Sequence, residues 1–388
     1  MNKPGFPVEV PGPVEGHSVV KGGEPQAGGQ PVTMHELLQL MIQRRASDMH
    51  ITVGVPPMFR VDGQILAGPH HPLGPDDCQA IAYSVLTEEQ RKRFENGREL
   101  DLSFGIRGLS RFRANVFVQR GAVAMAVRQI PYKVQSVEEL GLNKVIIDFA
   151  RKPKGLVLFT GPTGSGKSTS LAALIDLINR ERRCHIMTIE DPIEFVHQHG
   201  KSIINQREIN ADTESFPKAL KYVLRQDPDV IMLGEMRDLE TISAALTIAE
   251  TGHLVFATLH TNSAAEAVNR MVDVFPPMQQ QQVLTQLAFV LEGVVAQQLS
   301  PRAKGQGRVL IAEVLVCTPA VKATIREGKT HQIYTLMQVG QKFGMQTMNQ
   351  ALFTAYANMQ ITLNEALGRS TDHQELQGMI TKSGLKAA

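Results

Sequence analysis

Residues 161–168 read Gly161-Pro162-Thr163-Gly164-Ser165-Gly166-Lys167-Ser168. A glycine, four residues and then Gly-Lys-Ser is the spacing of a phosphate-binding loop, and each part has a physical reason. Glycine reaches positive φ without penalty, so backbone N–H groups can close around phosphate oxygens. The N-terminus of the helix that follows adds partial positive charge. Lys167 is placed to reach the β- and γ-phosphates, and the Ser168 hydroxyl to ligate Mg²⁺, with Thr169 next in the loop-to-helix junction. Working outward, residues 155–160 form a short apolar run of buried-strand length. Beyond the loop, Leu171, Leu174, Ile175 and Ile178 recur at helical spacing. Strand, loop and helix come in the order the motif needs, and the reading is a nucleoside triphosphate site.

Composition bounds what surrounds it. A chain of 388 residues has room for two or three domains with cores of their own. The formal net charge of +2 carries no polybasic signal for nucleic acid or anionic membrane. No run approaches the roughly eighteen apolar residues of a membrane span, and no signal-peptide pattern opens the chain. Cys78, Cys184 and Cys317 are far apart, which argues against a zinc ribbon or a disulfide framework and fits a reducing cytoplasm.

Residues 1–32 are rich in proline and glycine and poor in large apolar side chains, the composition of a disordered tail. From residue 33 the pattern is that of a small α+β domain, 33–131. Leu37, Leu38, Met41 and Ile42 share a helix face, Asp62-Gly63 between two short runs is a hairpin signal, and Thr87 with Gln90 spells a capping box. In the strand 111–116, alternation sets Arg111 and Arg113 opposite Phe112 and Val116; in 122–130, Arg128 lies opposite Val123, Met125 and Val127. This arginine face is either a solvated surface or an inter-subunit phosphate contact, and alternation alone does not choose. Residues 131–133 read as a linker, and Ser136 with Glu139 as another capping box. In the second domain, 132–375, strands (185–189, 229–233, 253–258) alternate with helices (216–224, 239–249, 263–272), which implies a mostly parallel sheet covered on both faces. After residue 316 helices are expected at 320–326, 347–357 and 363–367, with a tail at 376–388.

Three further stretches fall at strand ends, where open parallel sheets bind ligands. Glu190, Asp191 and Glu194 place three carboxylates in five residues, a density that calls for a cation such as Mg²⁺ or a water bound to it. In Val230-Ile231-Met232-Leu233-Gly234-Glu235 an acid follows an apolar strand, one residue later than usual because Gly234 intervenes. Glu235 is thereby better placed to orient or deprotonate the attacking water than to hold metal directly, which leaves the direct metal contact to Ser168. The segment 250–261 puts His253 and His260 at opposite ends of one strand, too far apart to share a metal; His260 is on the ligand side, where it could sense the γ-phosphate.

Taken together, these motifs resemble the secretion ATPases of type IV pili and type II secretion, and most closely the PilT-type retraction ATPases. The resemblance runs from about residue 33 to about residue 370 and rests on Arg111-Phe112-Arg113, the phosphate loop, 188–195, 225–229, 234–238, 250–261 and 344–347. It implies a PAS-like N-terminal domain, a RecA-like ATPase domain with a helical C-terminal part, and a homohexameric ring. In that family Glu194 and Glu235 would position water and magnesium, Glu194 through water. His253 and His260 would be the His-box residues, and Arg111, Arg113 and Arg128 would reach nucleotide at a subunit interface. The implied activity is ATP hydrolysis with Mg²⁺, driving pilus retraction and twitching motility. The implied setting is cytoplasmic, at the inner membrane, against an integral platform protein and with room for a sister ATPase. Assembly-type relatives usually carry a four-cysteine zinc segment, which this chain lacks. One departure stands out. Retraction ATPases typically carry Ala-Ile-Arg-Asn-Leu-Ile-Arg-Glu where this chain has Ala320-Val321-Lys322-Ala323-Thr324-Ile325-Arg326-Glu327, so an accessory paralogue is an alternative. A nucleic-acid translocase would want a basic or aromatic strand-binding stripe, and there is no tryptophan and only five tyrosines.

Overall fold

The computed structural model describes residues 32–106, 109–130 and 134–384; all but the last residue of the expected tail at 1–32, and the linker 131–133, lie outside them. The chain is α/β, with two sheets that each carry a core.

The first sheet is antiparallel. Helix α1 (Met34–Gln43) starts at Thr33, whose hydroxyl accepts the Glu36 amide while the Glu36 carboxylate accepts the Thr33 amide. Strands β1 (Asp48–Ile51), β2 (Met58–Val61) and β3 (Gln64–Ala67) follow, then helices α2 (Pro75–Tyr83) and α3 (Glu88–Gly97). Strands β4 (Glu99–Ile106), β5 (Ser110–Gln119) and β6 (Ala122–Ile130) complete the order β3-β2-β1-β6-β5-β4. The β2–β3 hairpin turns on Asp62 (φ 48°) and Gly63 (φ 84°), the pair of left-handed residues its sequence predicts. Leu37, Leu38 and Met41 pack on Phe59, Phe112, Val116 and Val127, which leaves Arg111, Arg113 and Arg128 on the other face of the sheet.

The second sheet is built on β7 (Gly155–Thr160), all six residues of which are buried. Around it run α4 (Lys144–Phe149), α5 (Lys167–Glu181), β8 (His185–Glu190), β9 (Ile203–Glu208), α6 (Phe216–Val223) and β10 (Val230–Leu233). Then come α7 (Leu239–Glu250), β11 (Leu254–Thr258), α8 (Ala264–Asp273), α9 (Pro277–Val290), β12 (Leu291–Pro301) and β13 (Arg308–Val316). Strand order is β13-β12-β7-β11-β10-β8-β9, parallel throughout except for the β12–β13 hairpin. Alternation in β7 sends Leu156 and Leu158 to the core under α7, α8 and α9, and Val157 and Phe159 to the core under α5. Both faces are therefore covered, as the alternation of elements predicts.

The chain ends in helices α10 (Pro319–Arg326), α11 (Ile333–Val339), α12 (Met348–Ala357), α13 (Leu363–Arg369) and α14 (His373–Lys382). Helix α14 corrects the expected tail at 376–388: Leu376 and Ile380 are buried against α12, so the helix runs through that boundary. The box at Ser136 and Glu139 makes both of its hydrogen bonds but begins a turn, because Gly141 at φ 68° reverses the chain before the Asn143-capped α4. The pattern reading passed over 277–316 and 203–208, whose strands include the sheet's two edges. Among the described residues no helix is long and apolar enough to cross a membrane.

Candidate nucleotide site

All the strand-end motifs meet because β7, β8, β10 and β11 are parallel neighbours, so their carboxyl ends open on one edge. There they line a cleft of ≈ 420 Å³ that includes Lys167, Ser168, Glu194, Glu235 and His260. The loop between β7 and α5 is backbone architecture. Gly161, Gly164 and Gly166 have φ of 138°, 80° and 91°. A Cβ on Gly161 would lie 2.4 Å from the Gln297 carbonyl oxygen, so no other residue fits there. Gly166 caps α5 with no side-chain acceptor, whereas Asn143, Ser215, Asp238 and Ser263 cap α4, α6, α7 and α8 with theirs. The first amides of α5 are thus left facing the cleft, which is what an anion needs.

Thr163, Gly164, Ser165, Gly166, Lys167, Ser168 and Thr169 line the cleft; Gly161 and Pro162 lie behind them and accept hydrogen bonds from Lys167 Nζ at 2.6 and 3.1 Å. Burial pulls the Lys167 ammonium below the usual lysine range, and the charges of Glu194 and Glu235 pull it back. The two acids across the cleft thus favour its charged form against that burial.

On the acid side, Gly234 explains the late carboxylate. A Cβ there would sit 3.2 Å from Glu190 Cα, so glycine lets the ends of β8 and β10 approach, and the Gly234 amide reaches the Ile189 carbonyl at 2.8 Å. The acid falls one residue on, at Glu235. Its carboxylate accepts from Arg237 Nε at 2.8 Å and lies 3.4 Å from His260 Nε2. Thr258 at the end of β11 donates its hydroxyl to the Gly234 carbonyl, fixing the turn between them.

Glu190 sits below this surface. Burial pushes its carboxyl up to about 7, against hydrogen bonds from the Thr188 hydroxyl (2.6 Å), Gln206 Nε2 (3.2 Å) and the Glu194 amide (3.3 Å). Burial likewise raises the Asp191 carboxyl, with Glu235 adding to it and Arg113 and Arg237 pulling it down. His197 also lines the cleft, and burial depresses its imidazole to about 4, which keeps it neutral.

The candidates from sequence divide. The phosphate loop, Glu194, Glu235 and His260 come together. His253 does not: it sits at the start of β11, the far end of the strand. Its ring lies 3.1 Å from the Ile248 carbonyl at the end of α7 and 3.1 Å from the Thr251 hydroxyl. Five strand residues put it about 17 Å from the cleft edge. None of the three arginines lines the cleft. Arg128 pairs with Asp48 (2.8 Å), Arg111 with Glu208 (3.1 Å), and Arg113 approaches Asp101 at 4.0 Å while acting on Asp191. Sequence reasoning missed Arg237, Arg308, His197 and Glu208. For Arg237 a signal existed: a cation two residues beyond Glu235 is within reach of its carboxylate, and the two pair at 2.8 Å. Arg308 had none, since the β12–β13 hairpin alone carries it to the loop.

Among the described residues no group of three or more histidine, cysteine or acidic side chains forms a metal cage. The Ser168 hydroxyl and the carboxylates of Glu194 and Glu235, oxygen donors of the kind a hard divalent cation takes, line the one cleft.

Comparison with known proteins gives the same family. Residues 30–368 match the model of the type II/IV secretion system protein family. The chain is 48% identical over 317 residues to the type IV pilus retraction ATPase PilT of Pseudomonas aeruginosa, covering 82% of this chain and 92% of that one. It is 43% identical over 345 residues to the type IV pilus ATPase PilU of the same organism, covering 89% and 90%. A crystal structure of the pilus retraction motor PilT with bound ADP superposes with a TM-score of 0.85 at 48% identity, covering 89% of this chain and 99% of that one. A phosphate loop, strand-end acids and a histidine meet on one edge of a parallel sheet in a chain matched over most of its length, and the protein is a member of the type II/IV secretion system protein family, of PilT type.

Proposed function

We propose that this chain hydrolyses ATP to drive retraction of a type IV pilus. The reading is carried by one observation: an uncapped helix N-terminus with Lys167 and Ser168 faces Glu194, Glu235 and His260 across a single cleft, in a chain that aligns with 92% of PilT. Lys167 and the amides of α5 take the β- and γ-phosphates. Glu235, steered by Arg237 and His260, orients the attacking water, and Glu194 supports it. Mg²⁺ would be held by Ser168 and, through water, by Glu194; when bound it neutralises charge on the phosphates. A second cleft of ≈ 650 Å³ shares Gly166, Thr169, Leu299 and Arg308 with the first, and offers the base and sugar a place beside the phosphates.

The working assembly in this reading is a homohexamer in the cytoplasm, gripping an integral platform protein at the inner membrane. An accessory role beside a sister ATPase is the second reading. It is favoured by the altered segment 320–327. That segment keeps its helix, α10, and Lys322 bonds to Glu292 at 2.9 Å. The experiment is removal of the gene, scored as surface pili and surface motility. Excess pili with lost motility supports the retraction motor. Bald cells would make it an assembly motor, and unchanged pili an accessory paralogue. Light scattering with ATP bound tests the ring, and a monomer mass overturns it.

A further inference from the structure

The acid loop between β8 and β9 carries Glu194; its own Pro192 and the Glu190 carboxylate, which accepts the Glu194 amide at 3.3 Å, hold part of it. The rest of what holds it comes from further along the chain. Glu208, the last residue of β9, pairs in register with Glu190 at the end of β8, so its side chain lies beside the root of that loop. Its carboxylate is only 6% exposed. One oxygen accepts the Ser103 hydroxyl at 2.6 Å. The other accepts Arg111 Nη2 at 3.1 Å and the backbone amide of Ile193 at 3.2 Å, one residue before Glu194. Arg111 Nη2 also donates to the Ser103 hydroxyl at 2.6 Å, which closes a ring of three side chains. Glu208 is itself pinned, its amide to the Asp212 carboxylate and its carbonyl to the Asp212 amide, each at 2.8 Å.

Ser103 and Arg111 belong to the N-terminal sheet, about a hundred residues before Glu208 in the chain. Removing one partner of a carboxylate this buried leaves a charge uncompensated, which costs far more than breaking a surface pair. We propose that Glu208 is a positioning residue through which Arg111 and Ser103 of the N-terminal sheet set the acid loop, and hence Glu194, for hydrolysis. In this arrangement Arg111 acts on the reaction through Glu208 and the Ile193 amide, without touching nucleotide. Movement of the N-terminal sheet against the ATPase sheet then reaches the acid loop through this carboxylate. The proposal rests on the ATPase reading above.

Two readouts test it. Glu208→Gln is expected to lower kcat at least about tenfold while the dissociation constant for a fluorescent ADP analogue stays within about twofold. Hydrogen exchange at the amides of 191–195 should quicken in the same variant. Arg111→Ala should reproduce both effects, and the double variant should be no worse than the worse single, as residues acting as a unit behave. If Glu208→Gln fails to fold, Ser103→Ala, which removes one hydroxyl, should still lower kcat about twofold to fivefold at unchanged nucleotide affinity. The proposal is overturned if Arg111→Ala weakens binding of the ADP analogue, which would put Arg111 on the nucleotide. It is equally overturned if exchange at 191–195 is unchanged in these variants. The exchange readout needs no turnover, so a chain that does not hydrolyse ATP would sink the ATPase reading and leave this one to be decided separately.

Discussion

The phosphate loop takes its shape from its own backbone, whereas the acid loop opposite is held by side chains, one of which, Glu208, is bound in turn by Arg111 and Ser103 of the other sheet. In the first, three glycines at positive φ and an uncapped helix start do the shaping, all within eight residues. In the second, the Ile193 amide bonds to Glu208 and the Glu194 amide to Glu190, and Gln206 reaches back to Glu190 and to the Phe195 carbonyl. Backbone donors suit a ligand group that is the same in every turnover, the phosphate chain. Side-chain networks can be rearranged by whatever moves the elements that carry them. A binding element can be rigid and local; a catalytic element that must answer to a second sheet has to be built from contacts.

If that contrast is right, variants on the acid side should lose turnover and keep binding, and variants on the phosphate side should lose both. The largest effect is expected for Glu235→Gln: kcat falls about 10²- to 10⁴-fold, and isothermal titration finds ATP affinity unchanged. Weakened affinity would break the contrast, because Glu235 would then be holding nucleotide or metal directly. Lys167→Ala should cost about 10²- to 10³-fold in kcat/KM, and the same titration should show binding lost with it. Binding retained would move the phosphates off the loop amides.

The smaller effects concern stability. His197 is neutral in the fold, with its pKa lowered from 6.5 to about 4, so the unfolded chain binds the extra proton as pH falls. Its contribution is complete above about pH 6.5 and is lost as pH falls toward 4. The stability of wild type over His197→Asn should therefore grow across that window by up to about 3 kcal/mol, read by urea unfolding at pH 4.5 and 7. Glu190 has the opposite sign: its raised pKa makes the fold lose stability as pH rises from 4.5 to about 7. The two slopes offset each other in wild type, and the histidine variant should expose the Glu190 slope. The smallest effect separates the two histidines of one strand. His253→Asn should leave kcat within about twofold and cost about 1 kcal/mol, the worth of its hydrogen bond at the end of α7. A larger drop in kcat would mean that His253 meets a site outside its own chain.

How much was legible follows from the same contrast. The hairpin at Asp62-Gly63, the capping box at Thr87 and the strand, loop and helix around the phosphate loop could be read directly, since each signal is local in the chain. The box at Ser136 also read correctly as hydrogen bonds, yet no helix followed, because Gly141 decided the next turn. Strands β9, β12 and β13 escaped: each depends for its place on a partner strand, and the sheet's edges are set by pairing rather than by pattern. The arginine face was found by alternation, but not its target. Glu208 lies 97 residues from Arg111, and no period in the sequence connects them.

The sequence by itself determined that a phosphate loop joins a buried strand to a helix, that acids end the neighbouring strands, and that a small α+β domain precedes them. These are properties of φ preferences and of periods 2 and 3.6, which act over a few residues. Only the tertiary structure decided that Gly234 lets two strand ends close up beside Glu235, and that Arg111 is joined to Ile193 through Glu208. Strand direction and the burial of a charge in reach of its partner are facts about the whole sheet, fixed when the chain packs and not before.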